Sequence, residues 1–423
     1  MLTEEKLLNK ITDFYVNSRD FNGLPARPDL LPEVESDYEG FMQCLRSLIK
    51  QEKVSFCVGG NPHIKAFQEP SGEKQLEILA DYDVRDGCLY PNTSHLKTIV
   101  DQNEWRDRPF TQRLKLGEPQ LGFHSFDLSV LETYRNDPRY HYKCNDVSGY
   151  ICVKSSAEAE KMREADQILL ETFGFSYNDN MDRAVAVFTR YLHDLSSQHQ
   201  QIWYAKMLPD DAKYKLHPDY FRSSYLGEFF ERESVFDALL SEQHHINKMS
   251  ELMGRPHLFR KEYEHEEKPA GFGFLIRPTK KEFHDFVMLL DKIISENINM
   301  DFFMGEIEPL QEEIRDGKTI MTSKGSIQIL REWFQQTIRV REDGRQAIEK
   351  MIATFREIRK LRQRPAHAVD DNHFDQKYFK EQRALMQDAY IAIRDIRLFF
   401  ANHPAVKGYE LPRYLKEGMI WLQ

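Results

Sequence analysis

The residues with the clearest chemical potential are an arginine and a histidine that four residues separate in the stretch "RQRPAH", Arg362 and His367. A guanidinium can hold a phosphate oxygen through two hydrogen bonds and can offset negative charge in a transition state. An imidazole can accept or donate a proton near neutral pH. The two groups suit the cleavage of RNA, because the ribose 2′-hydroxyl is then the nucleophile and neither a protein nucleophile nor a metal is required.

The stretch before this pair predicts a strongly basic helix. Ile358 and Leu361 lie three residues apart on one face. Seven basic residues lie between Arg345 and Arg364, although the chain has a formal net charge of -10. This local positive charge favours a negatively charged partner. The residues expected to bind RNA phosphates are Arg356, Arg359 and Lys360.

A proline is expected to end this helix. Pro365 disfavours a helical backbone at Arg364 and removes a hydrogen-bond donor, so His367 is expected in the turn that follows. Arg364 is a second arginine close to His367, and the sequence leaves open whether Arg362 or Arg364 reaches the phosphate. The alternative is that these side chains are surface groups that cap the last carbonyls of the helix.

An earlier helical stretch, "FVMLLDKIISENIN", supplies two carboxylates among apolar positions. Asp291 and Glu296 are candidates to orient His367, because a carboxylate can accept the second N–H of an imidazole. For each of them, an ordinary solvated position is the alternative.

The stretch "HAVDDNHFD" contains potential metal ligands as well. A transition-metal site requires such groups to converge, and their spacing in a loop does not show that they do. The aspartates and the second histidine are explained more simply by the start of the last helix, where acidic groups are favourable. We therefore expect no metal and no other cofactor. The potential ligands are His367, Asp370, Asp371, His373 and Asp375.

The pair and its context resemble the HEPN (higher eukaryotes and prokaryotes nucleotide-binding) superfamily. Its signature is an arginine, four to six residues and a histidine at the end of a helix in a compact helical bundle. Here Gln363 supplies the polar residue that often follows the arginine, and a long amphipathic helix over residues 374–402 follows the loop. The resemblance covers about residues 272–403.

This resemblance implies a metal-independent endoribonuclease that works as a homodimer. It makes Arg362 and His367 the catalytic residues, with the two motifs facing each other across the dimer interface, and it associates the protein with defence or stress control. Two other classes of function fit the same residues. One is a non-catalytic RNA- or nucleotide-binding module, which needs Arg362 but not His367. The other is a helical scaffold that uses the basic stretch as a docking face.

Composition excludes several other classes of protein. The 423 residues are 41% hydrophobic, which is too apolar for a disordered chain and sufficient for roughly two or three domains. The net charge of -10 excludes a protein that coats nucleic acid in general, so RNA binding is expected on a local surface. No apolar run is long enough for a membrane helix and the N-terminus lacks the pattern of a signal peptide, so we expect a cytoplasmic protein without membrane contact.

The predicted fold class is α+β. Short apolar runs bounded by Gly, Pro, Asn and Asp predict a β-rich N-terminal domain over residues 1–154. Longer helical periods predict a helical connector over residues 155–268 and an antiparallel bundle over residues 269–423. The resemblance implies that this bundle is HEPN-like. In the bundle, "FVMLLDKII" and "AYIAIRDIRLFF" are candidates for the dimer interface, and ordinary bundle core is the alternative.

The N-terminal half contains no motif for phosphate binding, because the glycines of "CVGGNPHIKAF" are not followed by GK[ST] and no GxGxxG occurs. Two loop-like stretches predict either a recognition surface for a regulatory ligand, a protein or RNA bases, or ion pairs buried within the loops. The residues concerned are Asp83, Arg85, Asp86, Arg135, Asp137 and Arg139, with Tyr134, Tyr140 and Tyr142.

Overall fold

The chain divides into two units. Unit 1 comprises residues 1–142 and 148–220, and unit 2 comprises residues 143–147 and 221–423. The structure is a computed structural model, and it describes residues 2–19, 23–59, 70–101, 103–229, 232–263, 268–315, 318–337, 342–363 and 371–421.

Unit 1 combines short helices with antiparallel strands. Its first part contains α1 (Glu4–Val16), α2 (Pro32–Ser36), α3 (Tyr38–Lys50), β1 (Val54–Val58), α4 (Gly72–Asp81), β2 (Gly87–Pro91), α5 (Thr93–Ile99) and α6 (Pro109–Lys115). Its second part contains β3 (Phe123–Phe126), α7 (Glu132–Arg135), β4 (Tyr140–Cys144), β5 (Ser148–Val153), α8 (Ser156–Ala159), β6 (Leu169–Tyr177), β7 (Arg183–Phe188), α9 (Thr189–His193), α10 (Ser197–Tyr204), β8 (Lys215–Leu216) and α11 (Pro218–Phe221). Strands β1 and β2 pair with each other, and the main sheet has the order β3-β7-β6-β5-β4, with β8 paired to β6.

Two segments that the sequence predicts as helices contain strands of the main sheet. Strand β6 begins within the first segment, residues 157–175, and ends two residues after it, and β7 lies within the second segment, residues 181–208. The helix predictions were wrong for these strands, whereas α9 and α10 do lie in the second segment. The last five residues of β7 and residues 173–176 of β6 are buried. A strand buried on both faces has no polar alternation, so its apolar run does not distinguish strand from helix.

Unit 2 is mainly helical. It contains β9 (Glu233–Ser234), α12 (Val235–Leu252), α13 (Lys280–Ile293), β10 (Leu310–Arg315), β11 (Lys318–Ser323), α14 (Ser326–Thr337), α15 (Glu342–Gln363), α16 (Lys377–Ala401), α17 (Arg413–Glu417) and β12 (Ile420–Trp421). Strands β10 and β11 form an antiparallel hairpin, and β12 pairs in parallel with β9. The mixture of helices and antiparallel sheets confirms the α+β class. In the part of the chain that the structure describes, no helix has the length and apolarity needed to cross a membrane.

One apolar core joins the five long helices of unit 2. Leu239 of α12, Leu290 of α13, Trp333 of α14, Phe355 of α15 and Ile393 of α16 are all buried in it. Residues 155–268 therefore divide between the units, because β6 and β7 belong to the sheet of unit 1 and α12 contributes to the core of unit 2.

Polar contacts fix the end of α13 within this core. The Gln243 side chain of α12 donates to the Ile293 carbonyl over 2.9 Å. Beyond the helix, the Asn297 carbonyl accepts from the Arg260 backbone N–H over 2.8 Å. Ser326 Oγ, at the start of α14, donates to the Ser295 carbonyl over 2.7 Å. The turn after α13 is thus held from both sides, which gives the side chains around it defined positions.

Candidate functional site

The predicted basic helix is α15, and one of its faces is part of the core. Ile352, Phe355 and Ile358 are fully buried. This packing places Arg359 and Arg362, which lie one helical turn apart, against the end of α13. The arginine of the predicted motif therefore lies in the last turn of α15, at a junction between two helices.

Arg362 forms ion pairs with both carboxylates that the sequence singles out. Its Nη1 donates to Asp291 Oδ2 over 2.6 Å and also to Glu296 Oε1. Arg359 Nε lies 3.6 Å from the same oxygen of Asp291. The hydrogen bonds to Asp291 and then to Glu296 raise the pKa of Arg362, so the guanidinium stays charged. Its side chain is 31% exposed.

Asp291 is an acidic residue in an apolar stripe of α13, next to the buried Leu290 and one turn from Val287. Its side chain is 0% exposed. A buried carboxylate is costly unless hydrogen bonds and opposite charges compensate it. Besides the arginines, the Ser295 hydroxyl donates to Asp291 Oδ1. Asp291 is therefore a fixed internal anchor for the guanidinium of Arg362.

The sequence predicts that these carboxylates orient His367, whereas the structure pairs both of them with Arg362. His367 and Arg364 lie outside the described residues. Arg362 is also more than a surface group that caps the last carbonyls of the helix, because it compensates a fully buried carboxylate.

An open cleft of about 660 Å³ adjoins this cluster. Three residues that line the cleft also contact Asp291 or Arg362. Ser295 and Arg359 contact Asp291, and Glu296 pairs with Arg362. Two further cations, Arg260 and Lys324, line the cleft as well. The remaining lining residues are Ile298, Met300, Pro309, Ser323 and Ser326.

The three residues predicted to bind RNA do not share one location. Arg359 lines the cleft, whereas Arg356 and Lys360 are exposed on other parts of α15. Lys360 Nζ lies 3.8 Å from Glu357 Oε2, a surface pair one turn away on the same helix. Of the three predicted RNA-binding residues, Arg359 is the one that the geometry connects to the candidate site.

The alternative metal site finds no support in the described residues. Among them, no group of three or more His, Cys, Asp or Glu side chains could hold a metal ion. His373 Nε2 lies 2.9 Å from the Tyr378 hydroxyl, and Asp375 Oδ1 accepts from the Lys377 backbone N–H over 2.9 Å. Asp371 is exposed. The other two potential ligands lie outside the described residues, and they are His367 and Asp370.

The apolar stripes considered for a dimer interface belong largely to the core of unit 2. Phe286 and Ile293 in the first stripe, and Ala389 and Ile396 in the second, are buried. Most apolar side chains of the two stripes therefore pack within unit 2, whereas Met288, Ile391 and Leu398 are exposed. The homodimer stays a prediction.

The tyrosines considered as platforms for RNA bases lie largely inside unit 1. Tyr134 is fully buried, and its hydroxyl accepts from Trp203 Nε1 over 3.1 Å. Tyr140 is buried too. The neighbouring Asp137 and Arg139 form a local pair at 2.6 Å with partly exposed side chains. Stacking on Tyr134 is excluded by its burial, and the ion pair is a surface pair rather than a buried one.

Sequence reasoning missed a second charged cluster, in unit 1. His124 of β3 lies between two carboxylates, with Nε2 2.5 Å from Glu118 Oε1 and Nδ1 2.9 Å from Asp211 Oδ2. Thr189 Oγ1 donates to the same Glu118 oxygen over 2.9 Å. The His124 side chain is 8% exposed. Asp211 is 87 residues from His124 in the chain, so no local sequence pattern predicts the cluster.

Both ring nitrogens of His124 face acceptors, which favours the doubly protonated imidazolium. Burial alone lowers the pKa of His124, but the hydrogen bonds to Asp211 and Glu118 outweigh it and the net shift is upward. His124 correspondingly lowers the pKa of both carboxylates. The cluster joins three separate parts of unit 1 through one buried positive charge.

Comparison of the chain with protein-family models, with curated proteins and with solved structures finds no match. Evidence on function comes from the geometry around Arg362 and from the motif to which this arginine belongs.

Proposed function

We propose that this protein is a metal-independent endoribonuclease in which Arg362 and His367 act on a ribose 2′-hydroxyl and the adjacent phosphate. The observation that carries the proposal is the placement of Arg362, a charged guanidinium anchored by a buried carboxylate beside a cleft lined by further cations. The resemblance of the Arg-x4-His motif to HEPN endoribonucleases supplies the reaction class.

In this mechanism Arg362 holds and neutralises the scissile phosphate. Among the described contacts, Arg362 uses Nη1 for both of its carboxylates. Its Nε and Nη2 can therefore donate in parallel to two phosphate oxygens. Negative charge grows on these oxygens in the transition state, so a fixed guanidinium lowers the barrier. The fixed position comes from Asp291, because a buried and compensated carboxylate has little freedom to move.

The proton transfers are assigned to His367. The 2′-oxygen attacks phosphorus, the bond from phosphorus to the 5′-oxygen breaks, and the 2′-hydroxyl proton is removed while the leaving oxygen gains one. The products are a 2′,3′-cyclic phosphate and a 5′-hydroxyl. By the resemblance, two subunits in the cytoplasm combine their motifs in a homodimer with a role in defence or stress control.

A second candidate function is a non-catalytic RNA-binding module. The observation that favours it is that Arg362 already has two carboxylate partners without any ligand. In that function the guanidinium maintains the end of α15, and the other cations of the cleft bind RNA phosphates. His367 is then dispensable.

Incubation of the purified protein with mixed RNAs in a chelator tests the proposal. We expect cleavage without added metal, cyclic phosphate ends, and no cleavage of DNA, which lacks the 2′-hydroxyl. His367→Ala should reduce turnover by at least about a hundredfold, the usual scale for loss of a general acid or base. His373→Ala, a change at an exposed histidine outside the motif, is the matched control. Activity that requires a divalent metal, or full activity of His367→Ala, would contradict the mechanism.

A further inference from the structure

The cleft beside Arg362 gathers cations from three separate parts of unit 2. Arg260 follows α12, Lys324 lies between β11 and α14, and Arg359 belongs to α15. Among the described residues that line the cleft, Glu296 is the one carboxylate, and it is already paired with Arg362. The cleft is therefore a local positive site in a chain of net charge -10, which favours an anionic ligand.

The three cations are compensated to different degrees. The Arg260 side chain donates to the main-chain carbonyl of Glu296, a neutral partner that leaves the positive charge in place. Lys324 Nζ lies 2.6 Å from Glu332 Oε2, so part of its charge is offset. Arg359 is 3.6 Å from Asp291. Arg260 is accordingly the cation in this set with the most charge to offer to a ligand.

The cleft also contains apolar surface of the kind that a base requires. Met300 and Pro309 line it with exposed side chains, together with the cations, whereas Ile298 lines it from a buried position. Methionine sulfur and the plane of an arginine both pack well against aromatic rings. A volume of about 660 Å³ lies within the range of small-molecule sites and is too small for a nucleic-acid duplex. Charge, surface and size together match one nucleotide of a single strand.

The cleft is continuous with the candidate catalytic arginine. Glu296 lines the cleft and accepts from Arg362, and Arg359 and Arg362 are one helical turn apart. Side chains at this spacing have Cβ atoms about 5–6 Å apart, so they can contact neighbouring phosphates of one strand.

We infer that this cleft is a subsite for the nucleotide next to the scissile phosphate. Arg260 and Arg359 bind the phosphate of that nucleotide, Lys324 contributes charge, and the apolar residues contact its base. The identity of the ligand as RNA rests on the proposed function, whereas the binding geometry does not depend on cleavage.

Binding of a short 2′-O-methyl RNA tests the subsite separately from catalysis, because this probe has no free 2′-hydroxyl to act as nucleophile. Fluorescence anisotropy over a series of salt concentrations gives both the affinity and the number of phosphate contacts. Arg260→Met should weaken binding about tenfold and lower the salt slope by about 0.7 for one lost contact to a single strand. Arg383→Met, at an exposed position of α16, is the control and should change neither quantity.

Lys324→Met is a second variant with a smaller expected loss, because Glu332 shares its charge. Mononucleotides should displace the probe at lower concentration than inorganic phosphate does, because the apolar residues contact the base. Equal competition by phosphate would overturn the nucleotide assignment. Thermal unfolding of Arg260→Met should remain near that of the wild type, since Arg260 is exposed.

The outcomes separate the two proposals. If binding depends on Arg260 but the protein cuts no RNA, the subsite is supported and the nuclease function is contradicted. If Arg260→Met cleaves RNA with an unchanged KM, the subsite is contradicted and the nuclease function is supported. Equal affinities and salt slopes for Arg260→Met and Arg383→Met, or no binding of the probe by the wild type, overturn the subsite.

Discussion

His124 in unit 1 and Arg362 in unit 2 are both cations held between two carboxylates, but the most buried member is the cation in unit 1 and a carboxylate in unit 2. The His124 side chain is 8% exposed, while its partners Glu118 and Asp211 are 24% and 30% exposed. In unit 2 the cation Arg362 is 31% exposed, its partner Asp291 is 0% exposed and its second partner Glu296 is 39% exposed. Unit 1 thus encloses the positive charge and presents the acids, whereas unit 2 encloses an acid and presents the positive charge.

This reversal separates a cluster that stabilises a fold from one that can meet a ligand. An enclosed imidazolium already has acceptors on both nitrogens, so it offers no donor to a substrate. The guanidinium of Arg362 uses Nη1 for both carboxylates among the described contacts, so Nε and Nη2 can donate to a phosphate. Because Asp291 is buried and has little freedom to move, it holds Arg362 in one position, and a catalytic cation requires such a fixed position.

The largest expected effect is on the exposed cation. Arg362→Ala should reduce the single-turnover rate of RNA cleavage by at least about a hundredfold, because it removes charge stabilisation of the transition state. It should also lower the free energy of unfolding by about 2 kcal/mol, since Asp291 then keeps only Arg359 and Ser295 as described partners. Rates per folded molecule, measured well below the melting temperature, separate the two effects. Wild-type turnover in a folded Arg362→Ala protein would contradict a catalytic role for the exposed cation.

The next effect concerns the buried anchor. Asp291→Asn removes the charge that positions Arg362 but keeps a side chain of similar size. We expect kcat to fall on the order of tenfold to a hundredfold while KM changes little, because a misplaced guanidinium affects the transition state most. Asp285→Asn, on an exposed part of the same helix, is the control and should leave kcat unchanged. Equal values of kcat for the two variants would show that Asp291 has no positioning role.

The enclosed cation should affect stability instead of turnover. His124→Gln should lower the free energy of unfolding by about 2 kcal/mol at pH 6, the scale of hydrogen bonds to charged groups. The raised pKa of His124 means that its stabilisation is complete below the unfolded pKa of about 6.5 and is lost as pH rises through the folded pKa. The difference between wild type and variant should therefore shrink towards alkaline pH.

At acidic pH the same difference should shrink for another reason. The lowered pKa values of Glu118 and Asp211 keep their contribution complete above the unfolded values near 4, and protonation removes it as pH falls through the folded pKa values. Urea unfolding of both proteins across pH measures this profile. A difference that grows steadily with pH contradicts a buried imidazolium. RNA cleavage per folded molecule should be unaffected, since the described partners of His124 all lie in unit 1.

The smallest effects come from two hydroxyls that donate to the carboxylates. Thr189→Val removes a donor to Glu118, and Ser295→Ala removes a donor to Asp291. Each should cost about 1 kcal/mol of unfolding free energy, the usual net value of a hydrogen bond. Of the two, Ser295→Ala alone should lower kcat. A decrease in kcat for Thr189→Val would mean that the two clusters are not functionally distinct.

Parts of unit 2 are predictable because their signals are local. Helix α13 starts directly after Thr279, whose Oγ1 accepts from the Glu282 N–H over 3.2 Å, and a threonine three residues before a glutamate is a local signal of a helix start. The long final helix is found where its amphipathic period indicates, as α16. Asp291 can be identified as a candidate site residue because it is an acidic residue in an apolar stripe. Caps and periodic stripes depend on residues three or four apart, which a sequence displays directly.

The rest depends on contacts that the sequence does not display. Asp291 meets Arg362 across 71 residues, so the sequence identifies the carboxylate but assigns it to His367. His124 joins β3 to Asp211, and neither residue belongs to a periodic pattern. The sequence predicts helix where strand β7 lies, because the last five residues of this strand are all buried and such a run has no alternation. Burial and long-range pairing are properties of the assembled chain, and they decide both the site and the sheet.

The pairing of β9 with β12 has a consequence for how unit 2 can be handled. Glu233 lies opposite Ile420 and Ser234 opposite Trp421, so the chain enters and leaves the long helices at adjacent points. A segment with neighbouring ends can be grafted into a host loop or circularly permuted with little strain, because its two connections need to span only a short distance. The segment of helices from Val235 onwards therefore has the geometry required for insertion into another protein.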